Sequence, residues 1–378
     1  LKAISQNHWP NLDFDIGAVN TAMARFLPAG FYYKTFIHPQ PFWKHVYEPF
    51  IRQSAGLGKA PDKEARDADT YEHFYAFTDI LVIGGGIAGL LAARAAARSG
   101  AKVLLMEQTA HWGGRAPVDG GTVDGKPVDK MVDELVAELE GMENVTLRLR
   151  CMGAGVYDHG YALGYERLTD HTPGSQGPRH RLWRIRAKQI VTATGAIERP
   201  LSFAGNDVPG VMLASAMRDY VVNWGVTPGQ RVVVVTNNDD AYRTAITLHE
   251  AGVKVIRILD ARNAAGPLAD RAREMGIRVD PGKGIAKVKG GKRVKTVAIC
   301  NQDGVGGARE EIEADAVAMS GGWSPVVHLW SHCGGKLIWD EAQAHFRPDP
   351  DRPPLGSDGY GFVRAAGTAN GSLDLATV

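Results

Sequence analysis

Three glycines and one acid stand at a spacing suited to a nucleotide's pyrophosphate and ribose. In ILVIGGGIAGLLAARAAARSGAKVLLMEQ the order is Gly84-x-Gly86-x-x-Gly89, with Glu107 further on. The first glycine permits a tight turn, and the second lets a pyrophosphate approach the backbone. The third lets a helix pack closely on a strand. Ile87 and Ala88 then open a helix whose N–H groups and partial positive charge face the phosphates. Glu107 has the spacing of a carboxylate that accepts from the adenosine ribose, a charged hydrogen bond worth about 1.5–3 kcal/mol. It also repels a 2′-phosphate, so FAD or NAD fits better than NADP. FAD, NAD and ATP all present such a ribose. A glycine turn used only for packing is the competing reading. The agreement of strand, helix and acid argues against it.

Three further segments could complete that site. HWGGRAP follows Glu107 and Gln108 and offers Gly113, Gly114 and Arg115, where backbone and guanidinium could reach phosphate or ribose. A plain turn with a solvated arginine is the alternative. Thr194 and Gly195 could pass under the cofactor, or simply end a strand. Gly367, Gly371 and Ser372 could return to the same phosphates, or form a loop.

These residues need elements to hold them. DILVIGGG reads as a strand entering a turn, IAGLLAARAAARSG as a small-residue helix and KVLLME as a second strand. From Gly229 the pattern repeats with RVVVVT, AYRTAITLHEAG and KVIRILD. There the glycine slots hold Thr236, Asn238 and Ala241, with Asp239 and Asp240 among them. Carboxylates at a helix start can cap its N–H groups and would repel a pyrophosphate. This second module therefore reads as a scaffold that does not hold a dinucleotide in the usual way. Asp260 ends its second strand and is expected at the surface. The segments QIVTATGAIERP and ADAVAMSGGWSP echo each other, which points to duplication. The expected fold class is α/β, with two Rossmann-like βαβ dinucleotide-binding domains of glutathione-reductase type, the second inserted into the first. The expected division is an aromatic-rich N-terminal arm and linker at 1–75 and the first dinucleotide-binding domain at 76–205. The degenerate second domain takes 206–324, and 325–378 returns to the first. The arm packs over a neighbouring domain or forms a lid.

Composition narrows the classes. Over 378 residues the hydrophobic content is 44%, the charged content 22% and the formal net charge +1. That balance gives no electrostatic case for nucleic acid or a membrane surface. The 3 cysteines, Cys151, Cys300 and Cys333, form no Cys-x-x-Cys pair, so a cytoplasmic setting is expected. His332 beside Cys333 could activate a thiol, but an incidental loop thiol is the simpler reading. No metal-ligand spacing and no catalytic residue are read from the sequence. The chain begins with Leu and its last stretch stops where a helix starts, so a segment of a longer polypeptide is expected.

The glycine turn with Glu107, GGR, ATGAIERP and SGGWSP resemble the glutathione-reductase-like superfamily. AGFYYKTFIHP, YEPFIRQSAGLG and TNNDDAYRTA further resemble the alpha subunits of heterotetrameric sarcosine oxidases, over essentially the whole chain. That resemblance implies an oxidoreductase complex that oxidises the C–N bond of sarcosine, with oxygen as acceptor. NAD would sit, without turning over, in the first site of this chain. It would touch Gly84, Gly86, Ile87, Ala88, Gly89, Glu107, Gln108, Gly114, Arg115, Gly153, Thr194, Gly195, Gly367, Gly371 and Ser372. Gln108 stands where some members carry a second acid. FMN would lie at the interface with a beta subunit, which carries FAD and the small amine substrate. Further small subunits complete the complex, and tetrahydrofolate binds through a C-terminal portion outside this sequence. Two alternatives remain: a self-sufficient FAD-dependent oxidoreductase, and the alpha subunit of an amino-acid, opine or cyanide-forming dehydrogenase complex.

Overall fold

A computed structural model of the chain describes residues 8–11, 14–26, 30, 36, 38–55, 62, 64–123, 125–264, 266–308 and 310–373. They fall into two units, Leu1–Ala68 and Asp69–Val378. In the first, short helices at Ala18–Met23 and Glu48–Ser54 leave Val19, Met23 and Phe50 exposed. An Arg52–Glu48 pair at 2.6 Å spans one turn of the second helix. Most of AGFYYKTFIHP, on which the arm and lid readings rest, lies outside the described residues.

The second unit opens with β1 (Thr70–Ile83). The aromatic residues at 70–75, expected in the arm, are therefore strand. Their side chains lie on both faces of the strand and stay largely exposed, while Leu81–Ile83 run fully buried. A turn leads to α1 (Ile87–Arg98) and then β2 (Val103–Met106). α1 buries Ile87, Leu90, Ala93 and Ala97, a stripe at helical spacing whose alanines allow close approach to the sheet. α2 (Val128–Glu140) adds Val128, Val132, Leu135 and Leu139 to the same core. β3 (Val145–Arg148), β4 (Cys151–Tyr157), β5 (Tyr161–Arg167) and β6 (Pro178–Thr192) complete this half.

The chain then leaves the first sheet through β7 (Val211–Leu213), α3 (Ala214–Trp224), β8 (Arg231–Thr236), α4 (Asp240–Glu250) and β9 (Lys254–Asp260). α5 (Pro267–Glu274) and β10 (Val279–Pro281) follow. An antiparallel layer of β11 (Lys283–Gly290), β12 (Val294–Asn301) and β13 (Glu310–Glu313) precedes β14 (Ala316–Ser320). The parallel order is β7–β14–β8–β9–β10. Val232 and Val234 pack toward the helices, and Val233 and Val235 toward the antiparallel layer. This two-faced burial explains the unbroken valine run.

β15 (Val363–Ala365) then pairs in parallel with β6, Val363 opposite Ile190. The first sheet thus reads β3–β2–β1–β6–β15 through its parallel half, with β5 joined antiparallel to β6 and β4 antiparallel to β5. The second sheet is inserted between β6 and β15, as the repeated pattern predicts. The connecting segments, 196–198 and 323–325, pair antiparallel where the chain leaves and returns. No helix among the described residues is long and apolar enough to cross a membrane. None of their His, Cys, Asp and Glu residues cluster as metal ligands.

Candidate functional site

β1 ends at Ile83 and α1 begins at Ile87, so the glycines occupy the turn between them. Gly84 has φ +109°, and a Cβ there would overlap the Ala193 carbonyl. Backbone freedom and absence of a side chain are both required. A Cβ on Gly89 would overlap the Gly84 carbonyl, so helix and strand are in direct contact. Gly86 differs. Its φ of −70° suits any residue, and a Cβ there would meet nothing within 4 Å. Its missing side chain leaves open space at the helix start. Gly86 is also the N-cap of α1, and no side chain caps the helix. The positive end of α1, with Ile87 and Ala88 in its first turn, is left to an anion.

Glu107 is 6% exposed. Its Oε2 accepts the Gly85 N–H at 2.8 Å, and its Oε1 accepts the Thr109 N–H at 2.7 Å. Two backbone donors thus fix the carboxylate beside the turn, and each oxygen keeps capacity to accept a ribose hydroxyl. Gln108 is exposed, and its carbonyl accepts from Arg167 at 3.2 Å.

The HWGGR loop folds against this turn. Gly113 N–H donates to the Gly85 carbonyl at 2.8 Å, and a Cβ on Gly114 would lie 3.1 Å from Gly86 Cα. Trp112 covers Gly85, where a Cβ would fall 2.5 Å from the indole. Arg115 is engaged by protein carboxylates, Asp119 at 2.8 Å and Asp219 at 3.1 Å. Its guanidinium also lies 5.5 Å from the Trp323 ring centre.

On the opposite side Ala193 leads into Thr194, whose Oγ1 donates to the Val326 carbonyl at 2.8 Å. A Cβ on Gly195 would lie 3.8 Å from Thr368 Oγ1. Gly367 opens a short turn that Gly371 closes at φ +90°, and Ser372 N–H donates back to the Gly367 carbonyl at 3.2 Å. The two distant segments, ATG and AAGTANG, therefore meet beside the glycine turn. Gly153 has a packing role in the structure, because a Cβ there would lie 2.5 Å from Ile83 Cγ2. Its strand starts beside the acid, with Cys151 N–H donating to the Glu107 carbonyl at 2.8 Å.

The second module is closed by its own side chains. Asp260, expected at the surface, is 0% exposed. Arg262 grips both its oxygens, at 3.0 and 2.8 Å, and reaches Asp239 at 2.7 Å. Tyr242 donates to Asp260 at 2.7 Å, and burial raises the Tyr242 hydroxyl pKa. Nor do Asp239 and Asp240 cap α4 through their side chains. Asn238 Oδ1 accepts the Asp240 N–H at 3.1 Å instead, and the carboxylates pair with arginines. A guanidinium thus holds the acid at the ribose-binding position, and side chains fill the turn.

The thiols offer no redox pair. All three cysteines are free. Burial pushes Cys151 up to about 12 and Cys333 up to about 11. Cys333 Sγ donates to the Leu329 carbonyl at 3.4 Å, while His332 stacks 6.5 Å from Tyr157. Trp112, Trp323 and His345 escaped the sequence reading, since tryptophan and histidine carry no motif at those spacings.

Comparison with known proteins agrees with this architecture. A family model described as pyridine nucleotide-disulphide oxidoreductase matches residues 78–342. The sarcosine oxidase subunit alpha of Rhizobium meliloti (strain 1021) is 45% identical over 349 residues, 92% of this chain and 34% of its own length. Its counterpart from Corynebacterium sp. (strain P-1) is 41% identical over 75% of this chain and 30% of its own length. The chain thus spans about a third of the length of these two relatives. Among solved structures, the T. acidophilum thioredoxin reductase matches with TM-score 0.59 at 19% identity, over 79% of this chain and 92% of that one.

Proposed function

The chain belongs to the pyridine nucleotide-disulphide oxidoreductase family, and from that premise we propose that it is the dinucleotide-holding segment of a sarcosine-oxidase-type alpha subunit. The single observation that carries this reading is the contrast between its two modules. The first keeps an uncapped helix start beside bare Gly86 and a fixed Glu107. The second fills the equivalent place with Arg262, Asp239 and Asp260. Hydride transfer from a nicotinamide to a flavin on one chain needs two working nucleotide sites, and this chain offers one. Its three cysteines are free, with no disulfide to accept electrons, and burial makes two of the thiols poor nucleophiles.

In this reading the first site holds NAD that does not turn over. Glu107 orients the adenosine ribose, and the first turn of α1 receives the pyrophosphate. Gly114, Thr194, Gly195 and the turn from Gly367 to Ser372 enclose the rest. FMN lies at the interface with a beta subunit that carries FAD and the amine, and the flavins supply the electron-accepting chemistry that oxidises the C–N bond. Oxygen is the final acceptor, tetrahydrofolate binds elsewhere on the alpha subunit, and the complex works in the cytoplasm. The residues named here bind and orient, and none acts as base or nucleophile.

The test is spectroscopic. Sarcosine is added to the purified complex without oxygen, and the bound nucleotide is identified after quenching. The proposal expects bleached flavin and unreduced NAD. Reduced nicotinamide, or FAD in place of NAD on this chain, would overturn it.

A further inference from the structure

His345 is 2% exposed, and its Nε2 has no hydrogen-bond partner among the described residues. A buried polar atom in that state is costly unless something satisfies it. The other ring nitrogen is placed. Nδ1 lies 3.2 Å from the Trp323 carbonyl oxygen. A carbonyl only accepts, so Nδ1 carries a proton, and with that single proton on the ring Nε2 is an acceptor.

The surroundings of Nε2 belong to the first site. A Cβ on Gly371 would lie 3.6 Å from it, and Gly371 closes the turn whose Thr368 faces Gly195. Trp323, which holds the ring, also flanks Arg115. Glu107 marks the adenosine end of that site. From there Gly84 lies against the Ala193 carbonyl, Gly195 two residues on faces Thr368 Oγ1, and the Gly371 N–H donates to the Thr368 carbonyl at 3.1 Å. His345 stands at the far end of that series. His345 opens the strand His345–Pro348, which pairs antiparallel with Leu337–Asp340 and sets it opposite Asp340, and Asp340 pairs with Arg347 at 3.4 Å.

We propose that His345 is a binding residue for the non-adenosine half of the dinucleotide, with Nε2 accepting a hydrogen bond from a donor on that half. A carboxamide N–H and a ribose O–H share that chemistry. This rests on the reading that a dinucleotide occupies the first site.

The test compares His345→Phe and His345→Gln with wild type, in the purified protein stripped of nucleotide. Affinities for NAD, ADP-ribose and ADP are measured by calorimetry. H345F is expected to bind NAD about tenfold or more weakly, to bind ADP like wild type, and to be partly rescued in H345Q. ADP-ribose distinguishes the donors: a penalty there marks the ribose hydroxyl, and its absence marks the carboxamide. An unchanged NAD affinity, or an equal loss for NAD and ADP, would overturn the inference. Should H345F not fold, the ring ¹⁵N shifts of His345 decide. They move between stripped and NAD-loaded wild type if the contact exists, and stay fixed if it does not. Wild type that binds no NAD would overturn the site itself, a different result from wild type binding while H345F binds equally well.

Discussion

Glu107 carries more of the account than its motif position implies. Both its oxygens already accept backbone N–H groups, so Glu107→Gln would turn an amide N–H toward a donor. Losing a charged hydrogen bond of about 1.5–3 kcal/mol predicts NAD bound about 10- to 150-fold more weakly in E107Q, measured by calorimetry, with the fold retained. The thiols give a second prediction at this scale. Cys151 and Cys333 are buried and Cys300 is half-buried, so alkylation of the native protein at neutral pH should label Cys300 alone. Rapid labelling of Cys333 would contradict the burial argument. The glycine turn and its acid were legible in the sequence because strand, turn, helix and second strand are contiguous. His345 was not, because Gly371 and Trp323 reach it only in the fold. Asp260 was misread for a physical reason. An acid that meets no ligand need not be exposed where Arg262 and Tyr242 hold it inside the protein.

At the scale of elements, α3 ties the modules together. Arg218, 0% exposed, donates to Asp119 at 2.7 Å and to Asp240 at 3.0 Å, one carboxylate from each module. Breaking this pairing takes the 3.0 Å partner from Asp240, while Asp119 keeps Arg115 at 2.8 Å. Arg218→Met should therefore cost about 3–5 kcal/mol in chemical denaturation, discounted toward the lower end because both carboxylates are partly exposed. The crossing segment 196–198 supplies a pH dependence. Burial raises the Glu198 carboxyl pKa, even though Oε2 accepts the Ser215 N–H at 2.9 Å. The folded state then holds a proton that the unfolded state releases, so stability falls as pH rises from the unfolded pKa through the folded one. Glu198→Gln should raise the melting temperature at neutral pH and bring no gain well below the unfolded pKa. Equal gains at both would contradict the assignment. The start of β1 at Thr70 was hidden because Tyr71, Phe74, Tyr75 and Phe77 lie on both faces of the strand and stay exposed, so no burial period marks it.

Across the molecule, the parallel strands of both sheets follow from repeated strand–turn–helix patterns, and the insertion from the echo of ATGAIERP in SGGWSP. Pairing of 196–198 with 323–325 gives that echo its physical meaning, since the chain leaves and returns through matched strands. The central claim is one working nucleotide site on this chain, centred on Gly86. The most direct measurement quantifies every nucleotide released on denaturing the purified protein, for wild type and for Gly86→Val. A Cβ at Gly86 meets open space in the protein, so the variant should fold while its side chain stands where the pyrophosphate belongs. The account predicts one NAD per chain in wild type, NAD lost in G86V, and flavins unchanged. NAD retained in G86V, or FAD lost in its place, would contradict it.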